Sequence, residues 1–297
     1  MEEVEFTKEE ELERYRKAGK ILAEVRAEAV KKVQAKASIL ETANYIEALI
    51  REKGALPAFP CNISRNEEAA HATPAKNDIA CFKQGDLVKL DIGVHIDGYI
   101  ADTAITIDLG DNKELVKAAE AGLASAIKTL HAGVSTSEIG EAIEKEILEF
   151  GFKPVVNLTG HGLMRYIQHA PPQIPNRKVE RGVILKANDV IALEPFATNG
   201  IGKVAEGTSV EIYSFIAAKP VRLPQARQLL KEIEPYKTLP FAKRWLHTPR
   251  LEMALRQLEA VGAIRGYPVL REETGGLVSQ AEHTVIITED GCEVITI

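Results

Sequence analysis

Hydrophobic and polar residues alternate along this chain with two different periods, and the change of period marks the elements. In ASILETANYIEALIREKGALP (37–57) and in VSTSEIGEAIEKEILEFGFKP (134–154) the apolar positions follow helical spacing. Each segment opens with the S-x-x-E capping-box pattern and runs amphipathically. Each then stops at a glycine, with a proline three residues on. A further helix is predicted ahead of each, one beginning near Thr7 with its own T-K-E-E box and one near Lys113. VKLDIGVHIDGYIADTAITI (88–107) instead alternates with period two about the turn signal Asp97-Gly98, which predicts a β-hairpin.

A two-residue loop at that turn pairs Gly93 with Asp102 and Asp91 with Ala104. Side chains alternate along a strand, so Asp91 and Asp102 fall on one face as diagonal neighbours, roughly 7–8 Å apart at the backbone. An unpaired buried carboxylate is costly. Either this face is solvated, or something compensates both acids.

The chain is duplicated. One offset of 97 aligns Ser38 with Ser135, Glu41 with Glu138, Ile46 with Ile143 and Gly54 with Gly151. GDLVKLDIG (85–93) resembles NDVIALEPF (188–196), setting Asp91 against Glu194. ADTAITI (101–107) resembles AEHTVII (281–287), setting Asp102 against Glu282, and HATP from His71 resembles HAPP from His169. Halves packed about a pseudo-two-fold axis would bring the four carboxylates together where their sheets join. Such a cluster repels itself and raises its own pKa values unless cations sit within it. Oxygen-rich ligation suits divalent ions, and two ions can share carboxylates, so the solvated-face reading loses ground.

An imidazole that breaks the symmetry should complete the ligand set. His161 supplies it in TGHG, where glycines allow the backbone close to a cluster, and its counterpart in the first half is Ile63. His71 and His169, in Pro-flanked and loop-like settings, read as groups that contact substrate. His95 shares the face of Asp91 but lies near the turn and reads as structural, while His283 should point away from Glu282. His131, expected in a helix, and His247 carry no supporting pattern.

A net charge of −6 argues against a nucleic-acid footprint spread over the whole surface. The start, MEEVEFTKEEELERYR, lacks the basic and apolar regions of a signal peptide, and no apolar run reaches membrane-spanning length. Cys61, Cys81 and Cys292 are widely spaced and read as reduced, small buried hydrophobes, which suits a cytoplasmic protein without a membrane partner. The halves differ in one respect: 11 positions lie from Asp91 to Asp102, but 88 from Glu194 to Glu282. Most of the excess falls at 217–275, where two helical patterns, a basic FAKRW and a strand-like GYPVLREE predict a small helical, winged-helix-like insertion. The catalytic domain would then comprise 1–216 and 276–297.

The ordered set AAHATP, KLDIGVHIDGYIADTA, TGHGL, QHAPP, ALEPFAT and QAEHTVI resembles the methionine aminopeptidases over essentially the whole chain. The insertion before the last acid resembles the type 2 members, and the short N-terminus resembles their archaeal form. The resemblance implies a duplicated α/β (α+β) pita-bread fold, a curved antiparallel sheet backed by helices. It also implies two divalent ions, with Mn, Fe, Co and Zn all compatible, held by Asp91, Asp102, His161, Glu194 and Glu282. In that scheme Asp102 and Glu282 bridge, Asp91 completes one shell, and His161 and Glu194 complete the other. Glu194 would act as general base on a water shared by the ions, His169 would steady the oxyanion, and His71 would contact the leaving amide. Phe59 falls where type 2 members line the methionine pocket. The substrate implied is the N-terminal methionine of nascent polypeptides with a small second residue, for a cytoplasmic monomer with the ribosome as a candidate partner. Met1-Glu2 of the chain itself would then stay unprocessed. A proline-specific peptidase of the same fold is the enzyme alternative, though such relatives commonly add an N-terminal domain. A binding protein that has lost catalysis is the other, though such relatives have lost ligands.

Overall fold

The computed structural model describes residues 6–297, so Met1-Glu2 lies outside the described residues. The first half runs α1 (Lys8–Val30), α2 (Ile39–Glu52), β1 (Leu56–Pro57), β2 (Asn62–Arg65), β3 (Glu68–Ala70), β4 (Leu87–Ile96) and β5 (Tyr99–Asp108). The second half runs α3 (Lys113–Thr129), α4 (Thr136–Glu149), β6 (Lys153–Pro154), β7 (Thr159–Met164), β8 (Ile167–Pro175), β9 (Val190–Leu193), β10 (Phe196–Thr198) and β11 (Val204–Phe215). Then come α5 (Pro224–Ile233), β12 (Phe241–Ala242), α6 (Leu251–Ala260), β13 (Ile264–Glu272), β14 (Val278–Gln280), β15 (His283–Ile287) and β16 (Cys292–Val294).

The duplication holds in three dimensions. The offset of 97 carries α2 onto α4 and β1 onto β6, end for end. Thr7 and Ser135 make complete capping boxes. Ser38 makes only half of one, its hydroxyl accepting from the Glu41 N–H at 3.2 Å. Both repeated helices close alike, with Gly54 and Gly151 at φ 81°. Beyond the two glycines, the Ala55 N–H donates back to the Ile50 carbonyl at 3.2 Å and the Phe152 N–H to the Ile147 carbonyl at 3.3 Å.

The β4–β5 hairpin has the expected register, Gly93 opposite Asp102 and Asp91 opposite Ala104. Asp97 (φ 52°) and Gly98 (φ 91°) supply the two positive φ angles that a type I′ turn requires. Alternation then divides the strand. Val88, Leu90, Ile92 and Val94 enter the core beneath α1 and α2 with Leu22 and Ile46. A second core joins Leu123 of α3 and Ile143 of α4 to Ile191 of β9 and Val285 of β15. With helices covering one side of each half, the other strand faces can meet across a cleft.

Among the described residues four antiparallel sheets result: β1-β4-β2 with β5 beside β4, β16-β15-β9-β7-β8, β14-β10-β6, and β12-β11-β13-β3. GYPVLREE does form a strand, β13, but it pairs with β11 and with β3 of the first half. The insertion is therefore woven into the sheets. Around α5 and α6 a small core gathers Leu229, Phe241, Leu255 and Ile264 with Tyr213 of β11. FAKRW forms β12 and a short 3-10 turn. Two smaller expectations change. His131 is exposed just past the end of α3, and Cys81 is exposed while Cys61 is buried and Cys292 half-buried.

Candidate active site

The two hairpin-like halves are joined back to back at their acids. The Glu282 N–H donates to the Ala104 carbonyl at 2.9 Å, and the Thr103 hydroxyl donates to the Glu282 carbonyl at 2.8 Å. Thr284 Oγ1 accepts from the Asp102 N–H at 2.7 Å and donates to the Asp102 carbonyl at 2.8 Å. In the second half β9 and β15 pair Leu193 with His283, which leaves Glu194 and Glu282 at the next step of the ladder. On β7, His161 lies opposite Ala192 of β9. Its Nε2 comes to 3.5 Å from Glu194 Oε1 and 4.0 Å from Asp102 Oδ2.

Donor atoms of Asp102, His161 and Glu282 all lie within 4.8 Å of one another. Asp91 and Glu194 line the same cavity, whose volume is about 800 Å³. Burial pushes the Asp91 carboxyl up to about 7, against donation from the Asn62 and Gln280 amides. Burial also holds Asp102, Glu194 and Glu282 well above the usual carboxylate range, and mutual repulsion adds to it. Asp91 Oδ1 and Asp102 Oδ1 are buried without a hydrogen-bond partner among the described residues. Orphaned carboxylate oxygens in a converging set of four acids and one imidazole are the donors a divalent cation takes. The residues fit such an ion.

His161 is prepared for that role. Its Nδ1–H donates to the Gly162 carbonyl at 3.2 Å, which leaves the Nε2 lone pair facing the acids. Burial brings its pKa down to about 4, so the ring is neutral at physiological pH. His169 lies in β8, not in a loop, and meets His161 edge-on with ring centroids 4.6 Å apart. Burial, then the neighbouring His161, His71 and Arg265, take it down to about 3. His71 follows β3 in the left-handed region at φ 63°, a strained setting for a non-glycine residue. Its Nδ1–H donates to the Pro268 carbonyl at 3.2 Å, and Tyr267 packs edge-on to its ring. Phe59 is buried on the cavity wall, where its ring occupies the space that a side chain at Gly93 would take.

The other histidines are elsewhere. His95 Nδ1 accepts from the Gly98 N–H at 3.1 Å and secures the turn. His283 turns away from the cavity to Thr296 Oγ1 at 2.8 Å and toward Arg26 of α1. His247 is exposed beside Glu232.

Reading by residue type missed a set of amides. Asn62 donates to Asp91, Gln168 to Asp102 and Gln280 to Glu194, each at 3.4 Å. Register carries the only signal for them: Asn62 lies directly opposite Asp91, and Gln280 precedes Glu282 by two. A second missed feature is the buried pair of Glu47 on α2 and Arg244 in the insertion. Glu47 also accepts from the Cys61 N–H at 3.1 Å and from Trp245 Nε1–H at 2.7 Å. Arg244 donates to Thr73 Oγ1 at 2.7 Å and to the Pro74 carbonyl at 3.2 Å. The pair thereby holds both ends of the segment that carries Asn62 and His71.

Comparison with known proteins gives this geometry its context. Residues 13–289 match the model of metallopeptidase family M24. The methionine aminopeptidase of Archaeoglobus fulgidus is 56% identical over 280 residues, covering 94% of this chain and 96% of that one. That of Pyrococcus horikoshii is 51% identical over 286 residues, covering 94% and 97%. Among solved structures, the fold is similar to that of a thermophilic Arx1, with TM-score 0.84 and 19% identity over 96% of this chain and 90% of the other. It is similar too to methionine aminopeptidase from Thermotoga maritima, with TM-score 0.72 and 24% identity over 97% and 96%. At such identity these two speak for the fold alone, and it is the pita-bread architecture. The match along nearly the full length, with all four acids and His161 gathered at one cavity, places the chain in metallopeptidase family M24, among the methionine aminopeptidases.

Proposed function

We propose that the chain removes the N-terminal methionine from nascent proteins and peptides whose second residue is small, with Asp91, Asp102, His161, Glu194 and Glu282 holding two divalent ions. The observation that carries this reading is the convergence of four buried acids and a neutral imidazole on one cavity, with carboxylate oxygens left unpartnered. When bound, the ions supply Lewis acidity, lowering the pKa of water and polarising the first peptide carbonyl. Mn, Fe, Co and Zn all suit this donor set.

The chain's own groups do the rest. Glu194 lines the cavity beside His161, and with cations offsetting the repulsion from its neighbouring acids its carboxylate can take a proton from water and carry it toward the leaving amine. His71 keeps its proton on Nδ1 through the Pro268 carbonyl, so Nε2 is an acceptor that can receive the substrate's amide N–H. His169, neutral on the cavity wall, can donate an N–H to the developing oxyanion. Phe59 offers an apolar wall for the methionine side chain. We read 217–275 as a type 2, winged-helix-like subdomain that completes the cleft, since it contributes Pro240, Arg265, Tyr267 and Leu270 to the cavity wall. The working form in this reading is a cytoplasmic monomer that meets nascent chains at the ribosome. Among the described residues no helix is long and apolar enough to cross a membrane.

The test is release of free methionine from Met-Ala-Ser and Met-Pro-Gly, after chelation and again after adding Mn²⁺ or Co²⁺. Cleavage should return with metal, and Met-Glu peptides should stay intact. Glu194→Gln should lower kcat by about 10²–10⁴. A folded protein that binds two ions and releases no methionine would favour the binding-protein reading. Full activity in Glu194→Gln would remove Glu194 as the base.

A further inference from the structure

The cavity is built around acids, yet its wall carries one cation. Arg265 lies on β13 two residues before Tyr267, so both side chains share the face that lines the cavity. Its guanidinium carbon sits 5.6 Å from the Tyr267 ring centroid, and the Tyr267 hydroxyl is fixed by Ser214 Oγ at 3.0 Å. The residue is exposed, and among the described residues no carboxylate lies within ion-pair distance of it. Arg265 lines the same cavity as His71 and His169.

The aminopeptidase reading fixes the direction of the substrate. A free N-terminus enters among the acids, the scissile amide passes His71 and His169, and the following residues leave by the open rim. An extended chain advances about 3.3–3.6 Å per residue, so the residues after the scissile bond are the ones that pass the cation. A guanidinium stacked on an aromatic face and lacking an acidic partner is a prepared carboxylate receptor.

We propose that Arg265 forms a specificity subsite at the mouth of the cavity, which recognises a carboxylate of the substrate beyond the small second residue and favours Asp or Glu at the third or fourth position. The inference rests on the aminopeptidase reading. It assigns to the insertion a part in choosing substrates.

The experiment uses the metal-loaded full chain and C-terminally amidated peptides Met-Ala-X-Gly-Gly and Met-Ala-Ser-X-Gly, with X as Glu, Gln or Lys. In the wild type the Glu peptide should exceed the Gln peptide in kcat/KM by about two- to five-fold, the range an exposed ion pair supplies, with Lys lowest. The difference should appear in KM, not kcat, and shrink between low and high salt. Arg265→Gln should abolish the preference and Arg265→Glu should invert it. Equal kcat/KM for Glu and Gln in the wild type would overturn the subsite, as would a preference that survives in Arg265→Gln. A gain confined to Met-Ala-Ser with a free C-terminus over its amide would assign Arg265 to a chain terminus and overturn the side-chain reading. Cleavage of the Gln peptides with no charge preference would sink the subsite alone. Failure to cleave any peptide would remove the aminopeptidase reading and the subsite with it.

Discussion

Replacing Arg244 by Met tests how the insertion controls the site. The Glu47 and Arg244 side chains are 4% and 3% exposed, so the substitution leaves a carboxylate buried beside an apolar side chain of similar length. Glu47 keeps the Cys61 N–H and the Trp245 indole as donors but loses its counter-charge. Thr73 Oγ1 and the Pro74 carbonyl lose their donor as well. Breaking a buried pair from one side costs about 3–5 kcal/mol. The cost should depend on pH. Burial already raises the Glu47 pKa against the pull of Arg244, and removing the arginine lets burial act with less opposition. A carboxyl whose folded pKa lies above its unfolded value favours the folded state fully below the unfolded value, and that contribution is lost as pH rises through the folded value. Arg244→Met should therefore be destabilising at pH 8 and much less so near pH 5.

Urea unfolding of both proteins at the two pH values measures this, and Glu47→Gln, alone and combined with Arg244→Met, completes a cycle. The double variant should recover much of the loss, because no charge is then left unpaired. Activity supplies the functional readout. Thr73 lies two residues beyond His71, so releasing it should lower kcat on Met-Ala-Ser even where the variant is fully folded. A loss below about 1 kcal/mol, or an equal loss at both pH values, would show that charge burial is not what Arg244 relieves. Unchanged kcat in the folded variant would show that the pair does not position His71.

Two further outcomes follow from the cavity. In the chelated protein Asp91 titrates at about 7 against an ordinary value of 3.8, so its contribution is present below about pH 4 and lost as pH rises through 7. With Asp102, Glu194 and Glu282 shifted the same way, Tm in EDTA should be lower at pH 8 than at pH 5.5, and saturating Mn²⁺ should remove or reverse that order. A chelated protein that is more stable at pH 8 would contradict the burial of four unpaired acids. Gly93→Ala would place a methyl 2.1 Å from Phe59 Cε1. It should cost about 1–3 kcal/mol and raise KM for Met-Ala-Ser, and an unchanged KM would remove Phe59 from the methionine pocket.

What could be read from the sequence, and what could not, follows from the range of each signal. Helix caps and the Asp97-Gly98 turn are local, so the repeated helices and the hairpin register follow from short stretches, and the duplication extends them to the four acids. Glu47 and Arg244 stand 197 positions apart, with no periodicity to link them. Asn62, Gln168 and Gln280 look like ordinary strand amides until their strands are placed against the acids. The placement of β13 was hidden for the same reason, since its partners β3 and β11 come from different parts of the chain.

His161 is the instructive exception, a tertiary feature with a local signature. A side chain at Gly160 would lie 2.4 Å from the Ala192 carbonyl oxygen, and one at Gly162 would lie 2.2 Å from the Pro171 carbonyl oxygen. Both distances are too short for any residue but glycine. The pattern TGHG therefore records that two neighbouring backbones press against β7 on either side of the imidazole. Glycine at both flanks lets β9 and β8 approach, and their approach brings His161 to Glu194 and His169. At Ile63 the duplicated strand has no such glycines, carries an apolar residue, and enters the core. The break in symmetry that gives the acid cluster its imidazole thus goes together with a difference in backbone packing on either side of that position.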